Sequence, residues 1–185
     1  MEFSYAPPEP HTDAESLLRL LMLQSAGYAA VFSPEIVKDK ATGHKIVQPA
    51  DLVLTTPGAA FLLFFGLNRR RGRGHNLKQA AKSLNVLRSG ATLRGTSTLG
   101  DLSLQIDQYE VAIVSISHDR YPAEFLYKES QDLRVSAAVN LPLDVVRAFA
   151  MAGGSSSDLA AFIGGLQKLN KPVPMTCPQF LYHLL

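Results

Sequence analysis

A single cysteine, Cys177, leaves no partner for an internal disulfide and removes every zinc site that needs two or more sulfurs. No uninterrupted apolar run approaches the roughly 18 residues a membrane-crossing helix requires. The most apolar stretch, Ala59 to Leu67, falls far short of that. The opening residues, MEFSYAPPEPHTDAE, have neither the basic start nor the apolar centre of a secretion signal. A reducing, cytoplasmic setting without membrane association is therefore expected. Tryptophan is absent, so that anchor plays no part in any core or interface. What is present suffices to close a core: 46% of the 185 residues are hydrophobic and the mean hydropathy is +0.06. Global disorder is excluded on those values, and the length suits one ordinary domain.

A second absence is more informative. Between Leu52 and Gly100 there is no Asp or Glu, while Arg69, Arg70, Arg71, Arg73, Lys78, Lys82, Arg88 and Arg94 supply eight positive charges. The whole chain carries 18 Lys plus Arg against 16 Asp plus Glu, so the remainder sums to 10 minus 16, or −6. Such a lopsided distribution points to a surface that meets a polyanion, nucleic acid above all. The plainer alternative is a solvated basic loop.

The pattern along the chain reads as alternating helices and strands. A proline-rich arm, residues 1–11, precedes one α/β domain over 12–170 and a tail over 171–185. Thr12 and Glu15 form a capping-box pattern ahead of a leucine-rich helix that ends at Gly27. Tyr28 to Val37 is aromatic and β-branched, and Pro34 within it predicts an edge strand. Lys45 to Thr55 and Ala59 to Asn68 read as a hairpin turning at Pro57 and Gly58. Phe61 to Phe65 lacks alternation, which predicts a central strand buried on both faces. Asn76 is expected to cap a helix over Leu77–Ser89, with Lys78 and Lys82 one turn apart away from its apolar face. Tyr109 to Ser117 is a further strand, Arg134 to Asn140 a weaker one, and Gly100 to Gln108 is ambiguous. Two closing helices are expected over Pro142–Ala152 and Asp158–Leu169, the second capped by Ser157.

Several short segments resemble the PD-(D/E)XK, or restriction-endonuclease-like, nuclease superfamily. The element order of helix, three strands, helix and strand is that family's. Gly27 and Tyr28 resemble the pair that ends its first helix, and Pro49 to Leu54 (PADLVL) is similar to the strand bearing its first metal-binding aspartate, here Asp51. Pro57 to Phe61 resembles the hairpin turn of nuclease-related domains, and Gln79 matches a glutamine of their next helix. The resemblance implies an α/β sandwich, a mixed central sheet flanked by helices, here with C-terminal helical additions. It also implies a Glu-x-Lys pair on the third strand, where the Glu shares Mg²⁺ with the Asp and the Lys assists the attacking water. This chain departs from that pattern, with Phe64 and Gly66 at those positions. Asp51 and Glu15 remain as vestigial metal candidates; Asp51 reads equally as a structural acid at a strand end.

The expectation is therefore a non-catalytic nucleic-acid-binding accessory protein on a degenerate nuclease scaffold, serving DNA processing, transfer or defence. It would use Arg69, Arg70, Arg71, Arg73, Lys78 and Lys82 with low sequence specificity and no cofactor. Two alternatives stay open: an atypical Mg²⁺-dependent nuclease, and an adaptor whose apolar tail (Phe180, Leu181, Leu184, Leu185) docks on a protein partner or a second copy. The five histidines have no metal-ligand spacing. Ser115, Ser117, His118 and Asp119 lack the geometry of a hydrolase triad, because neighbours on a strand face opposite ways.

Overall fold

A computed structural model of the chain describes residues 30–36, 49–66, 72–97, 100–117, 121–152 and 154–173. The expected first helix, the three arginines 69–71, Glu15 and residues 174–185 of the C-terminal tail lie outside them. The described residues build a mixed sheet with helices on both faces. Its strands are β1 (Ala30–Ile36), β2 (Leu52–Thr56), β3 (Ala59–Gly66), β4 (Leu93–Ser97), β5 (Gly100–Leu104), β6 (Glu110–Ser117), β7 (Glu124–Phe125) and β8 (Ala137–Pro142). The helices are α1 (Gly72–Arg88), α2 (Tyr127–Leu133), α3 (Leu143–Met151) and α4 (Ser156–Leu169). Strand order across the sheet is β5-β4-β1-β2-β3-β6-β8-β7. Strands β1, β2 and β3 run antiparallel in sequence order, and β6 then pairs parallel to β3, and β8 parallel to β6.

Strand β3 is central, as its unbroken apolar run predicts. Phe61 and Leu63 face one core with Val114, Val139, Val145 and Ile163, beneath α3 and α4. Ala60, Leu62 and Phe64 face the other with Ala80, Leu84 and Leu87 of α1. Burying both faces of one strand is what removes the alternation from its sequence. The hairpin into β3 turns at Pro57 and Gly58, the latter at φ 86, where a side chain would be strained.

Three expectations need correction. Strand β1 is not an edge, since it lies between β2 and β4. Pro34 is tolerated because the β1–β4 register shifts between Phe32 and Glu35, so its missing N–H falls in the irregularity and not in the ladder. Helix α1 begins at Gly72, not Leu77, so Asn76 is an interior residue and caps nothing. Helix α4 is capped by Ser155, not Ser157: the Ser155 hydroxyl accepts from the Asp158 N–H while the Asp158 carboxylate accepts from the Ser155 N–H. The β4–β5 hairpin and helix α2 are additions to the pattern read from sequence. Among the described residues no helix is long and apolar enough to cross a membrane.

Candidate functional site

The carboxyl ends of the parallel strands β3, β6 and β8 meet beneath the first turns of α1. Ligands of open α/β sheets gather at strand ends of this kind. Asp51 stands there, one residue before β2. Its N–H donates to the Leu63 carbonyl at 3.0 Å, and its Oδ2 accepts from the Phe65 N–H at 2.7 Å. The carboxylate thus extends the β2–β3 ladder by one bond, which is a structural task in its own right. In the register that pairs Leu52 with Leu63, the next position opposite Asp51 is Phe64. Phe64 is fully buried in the α1-side core.

Gly66 has a specific reason to be glycine. A Cβ built on it would lie 2.6 Å from Asn76 Oδ1 and 2.7 Å from Asn76 Nδ2, closer than real atoms approach. The Asn76 amide fills the space that a side chain at position 66 would take. It is held there by bonds from Nδ2 to the Phe64 carbonyl (3.0 Å), the Ser115 hydroxyl (3.0 Å) and the Ile116 carbonyl (3.4 Å). The Ser115 hydroxyl reaches Asn140 Oδ1 at 3.4 Å, and Asn140 Nδ2 donates to the Pro122 carbonyl at 3.0 Å. One chain of polar contacts therefore ties α1 to β3, β6 and β8. Asn76 Oδ1 and the Ser117 hydroxyl are buried without a hydrogen-bond partner among the described residues. Arg73, one of the basic residues singled out in the sequence, forms an ion pair with Glu124 of β7 and pins the start of α1 to the sheet.

The outer face of α1 is different in character. His75, Lys78, Lys82, Asn85 and Ser89 are exposed at the three- and four-residue spacing of one helix face, and Arg88 is exposed beside them in the last turn. Helix α1 contains no acidic residue over its 17 residues. Among the described residues neither Lys78 nor Lys82 has an ion-pair partner. Arg88 donates through Nη2 to the Arg134 carbonyl at 2.5 Å and is otherwise exposed.

The divalent metal of the resembled nucleases does not fit the residues present. Asp51 commits one oxygen to a backbone N–H, the position opposite is an apolar ring, and Asn76 occupies the space above Gly66. Among the described residues no three of His, Cys, Asp and Glu are grouped to hold a metal ion. Ser115 and Ser117, the hydroxyls nearest the strand ends, are fully buried. Sequence reasoning missed Asn76, Ser115 and Asn140 as a group, because they sit on three elements far apart in the chain. No family model, curated protein or solved structure matches the chain.

Proposed function

We propose that the protein binds nucleic acid without cutting it, on a scaffold of the restriction-endonuclease-like type. The observation that carries the reading is the acid-free outer face of α1, where Lys78 and Lys82 stand exposed and, among the described residues, unpaired. In the sequence this face follows Arg69, Arg70 and Arg71 directly. Cations in such a row contact successive phosphates and contribute affinity without reading bases. The scaffold part rests on element order: three antiparallel strands in sequence, a helix and, past the β4–β5 hairpin, strand β6 beside β3 fit the three strands, helix and strand in a mixed sheet that the resemblance implies. Loss of hydrolysis follows from Phe64 and from the Asn76 amide that closes the position of the second family residue.

The test is binding against salt concentration. Wild-type protein on duplex DNA should give a linear fall of log affinity with log salt. Changing Lys78 and Lys82 together to Ala should flatten that slope by roughly 2, about 0.9 for each phosphate no longer neutralised. Both side chains are exposed, so the variant should fold as wild type does. Binding with an unchanged slope, no binding by the wild type to duplex or single-stranded DNA, or Mg²⁺-dependent cleavage would each overturn the reading.

A further inference from the structure

A cleft of about 390 Å³ opens at the far end of α1, between its last turn, the start of β6 and the end of α2. It lies at the end of the sheet opposite Asp51, because β6 enters there at Glu110 and reaches Gly66 only at Ser117. Its floor is apolar, with Leu84 and Ile106 almost wholly buried. Its walls carry Tyr109, the guanidinium residues Arg88 and Arg134, and the carboxylates Asp107 and Glu110. The volume falls in the range of small-ligand sites, and an apolar floor with a few polar groups at the rim is their usual composition.

Two features say what kind of group belongs there. Arg88 is both a wall of the cleft and the last cation on α1; it lies about 15 Å along the helix axis from Lys78 and roughly a quarter to a third of a turn round from the Lys78–Lys82 row, on the side of the cleft. A strand with phosphates on Lys78 and Lys82 reaches the cleft by crossing α1 obliquely toward Arg88, which only a flexible single strand can follow. The half-buried ring of Tyr109 then offers a stacking surface, and Asp107 and Glu110 offer acceptors for exocyclic base amines while repelling phosphate. Arg134 adds a backbone observation: it ends α2 at φ 52, ψ 52, a left-handed conformation that glycine adopts at less cost. Its guanidinium is thus carried at a position where the backbone alone would favour Gly.

Resting on the proposed nucleic-acid binding, we infer that this cleft takes one unstacked base of a single strand, so that the preferred ligand is single-stranded and not duplex. The Tyr109 ring stacks on the base, and Arg88 and Arg134 hold the flanking phosphates.

The experiment compares a short labelled single strand with the duplex of the same sequence, by fluorescence anisotropy on the full chain. Tyr109→Leu keeps apolar bulk against the floor and removes the stacking ring; single-strand affinity should fall by roughly 5- to 150-fold, with duplex affinity unchanged. Arg134→Gly is the second variant, chosen because it relaxes the left-handed position and so cannot fail by strain there. It should lower single-strand affinity while its melting temperature stays at or above wild type. Equal single-strand and duplex binding, or single-strand binding that both variants leave intact, overturns the cleft assignment and leaves the helical row standing. Absence of binding to either form overturns the proposed function and this inference with it, whereas Lys78→Ala with Lys82→Ala should weaken both forms together.

Discussion

Replacing Gly66 by Ala tests the contact that closes the carboxyl end of the sheet. The added methyl would sit 2.6 Å from Asn76 Oδ1, 2.7 Å from Nδ2 and 2.9 Å from Cγ. Gly66 is not among the residues with positive φ, so the cost comes from space and not from backbone conformation. Two routes relieve the clash. If Asn76 stays, β3 and α1 must part, at the roughly 1 to 3 kcal/mol typical of overpacking a core. If Asn76 swings away, the Phe64 carbonyl and the Ser115 hydroxyl lose the Asn76 donor, again roughly 1 to 3 kcal/mol. The cheaper route governs, so a destabilisation of about 2 kcal/mol is expected. That corresponds to a drop of roughly 4 to 8 °C in melting temperature for a chain of this size. Urea and thermal denaturation of the variant measure it. Asn76→Ala supplies the control, because it empties the space that the new methyl needs. The double variant should therefore be more stable than the sum of the two single effects predicts, by about 1 kcal/mol or more. A Gly66→Ala protein within about 0.5 kcal/mol of wild type, or strict additivity in the cycle, would mean that Asn76 does not fill the position and that α1 does not dock as described.

Glu124→Gln removes the charge that holds Arg73, so the freed guanidinium should steepen the salt dependence of duplex binding by roughly 0.9 at a stability cost below about 1 kcal/mol; an unchanged slope would leave Arg73 a purely structural residue. At the other end of the chain, Ser155→Ala should cost about 1 kcal/mol by removing the α4 cap, read by the same melts. The Ser155 hydroxyl and backbone N–H hold the Asp158 carboxyl below its usual pKa, against a smaller upward push from burial. A carboxyl lowered in the folded state stabilises above the ordinary carboxylate range and loses that contribution as pH falls through it. Melts taken from neutral pH down to about pH 3 should thus fall further for wild type than for Asp158→Asn; parallel curves would count against the capping bond.

How much of this could be read in the sequence varied with how much apolar surface each element buries. Strand β3 and strand β6 were legible because Phe61 to Phe65 and Ala112 to Val114 are buried almost without interruption. The β4–β5 hairpin was not, since in Gly100 to Leu104 only Leu104 is buried and Leu102 half-buried, while Gly, Asp and Ser between them read as loop. Helix α2, YKESQDL, is short and polar and buries only Ser130. The start of α1 was missed because Gly-Arg-Gly is a poor helix former; it is helical here through the Arg73–Glu124 pair and the burial of Asn76, both tertiary facts. For the site, Asp51, Phe64 and Gly66 were identifiable by position along two neighbouring strands. The Asn76, Ser115 and Asn140 contacts were not, because Ser115 and Asn140 are single polar residues within apolar strands, and contacts between positions 39 and 25 apart carry no periodic signal.

The excursion of the chain to β4 and β5 has a consequence for biosynthesis. Strand β3 needs β6 along its second edge, yet β6 is made only after α1 and a hairpin that pairs on the far side of β1. At ribosomal rates of about 5 to 20 residues per second, the roughly 50 residues between Gly66 and Ser117 take about 3 to 10 s to appear. For that interval the nascent chain presents Phe61 to Phe65 with an open row of backbone donors and acceptors, apolar on both sides, which is the kind of edge that recruits foreign strands. Yield from fast, crowded translation should therefore be limited by what reaches β3 before β6 does, and slowing elongation across residues 67–109 would lengthen that exposure.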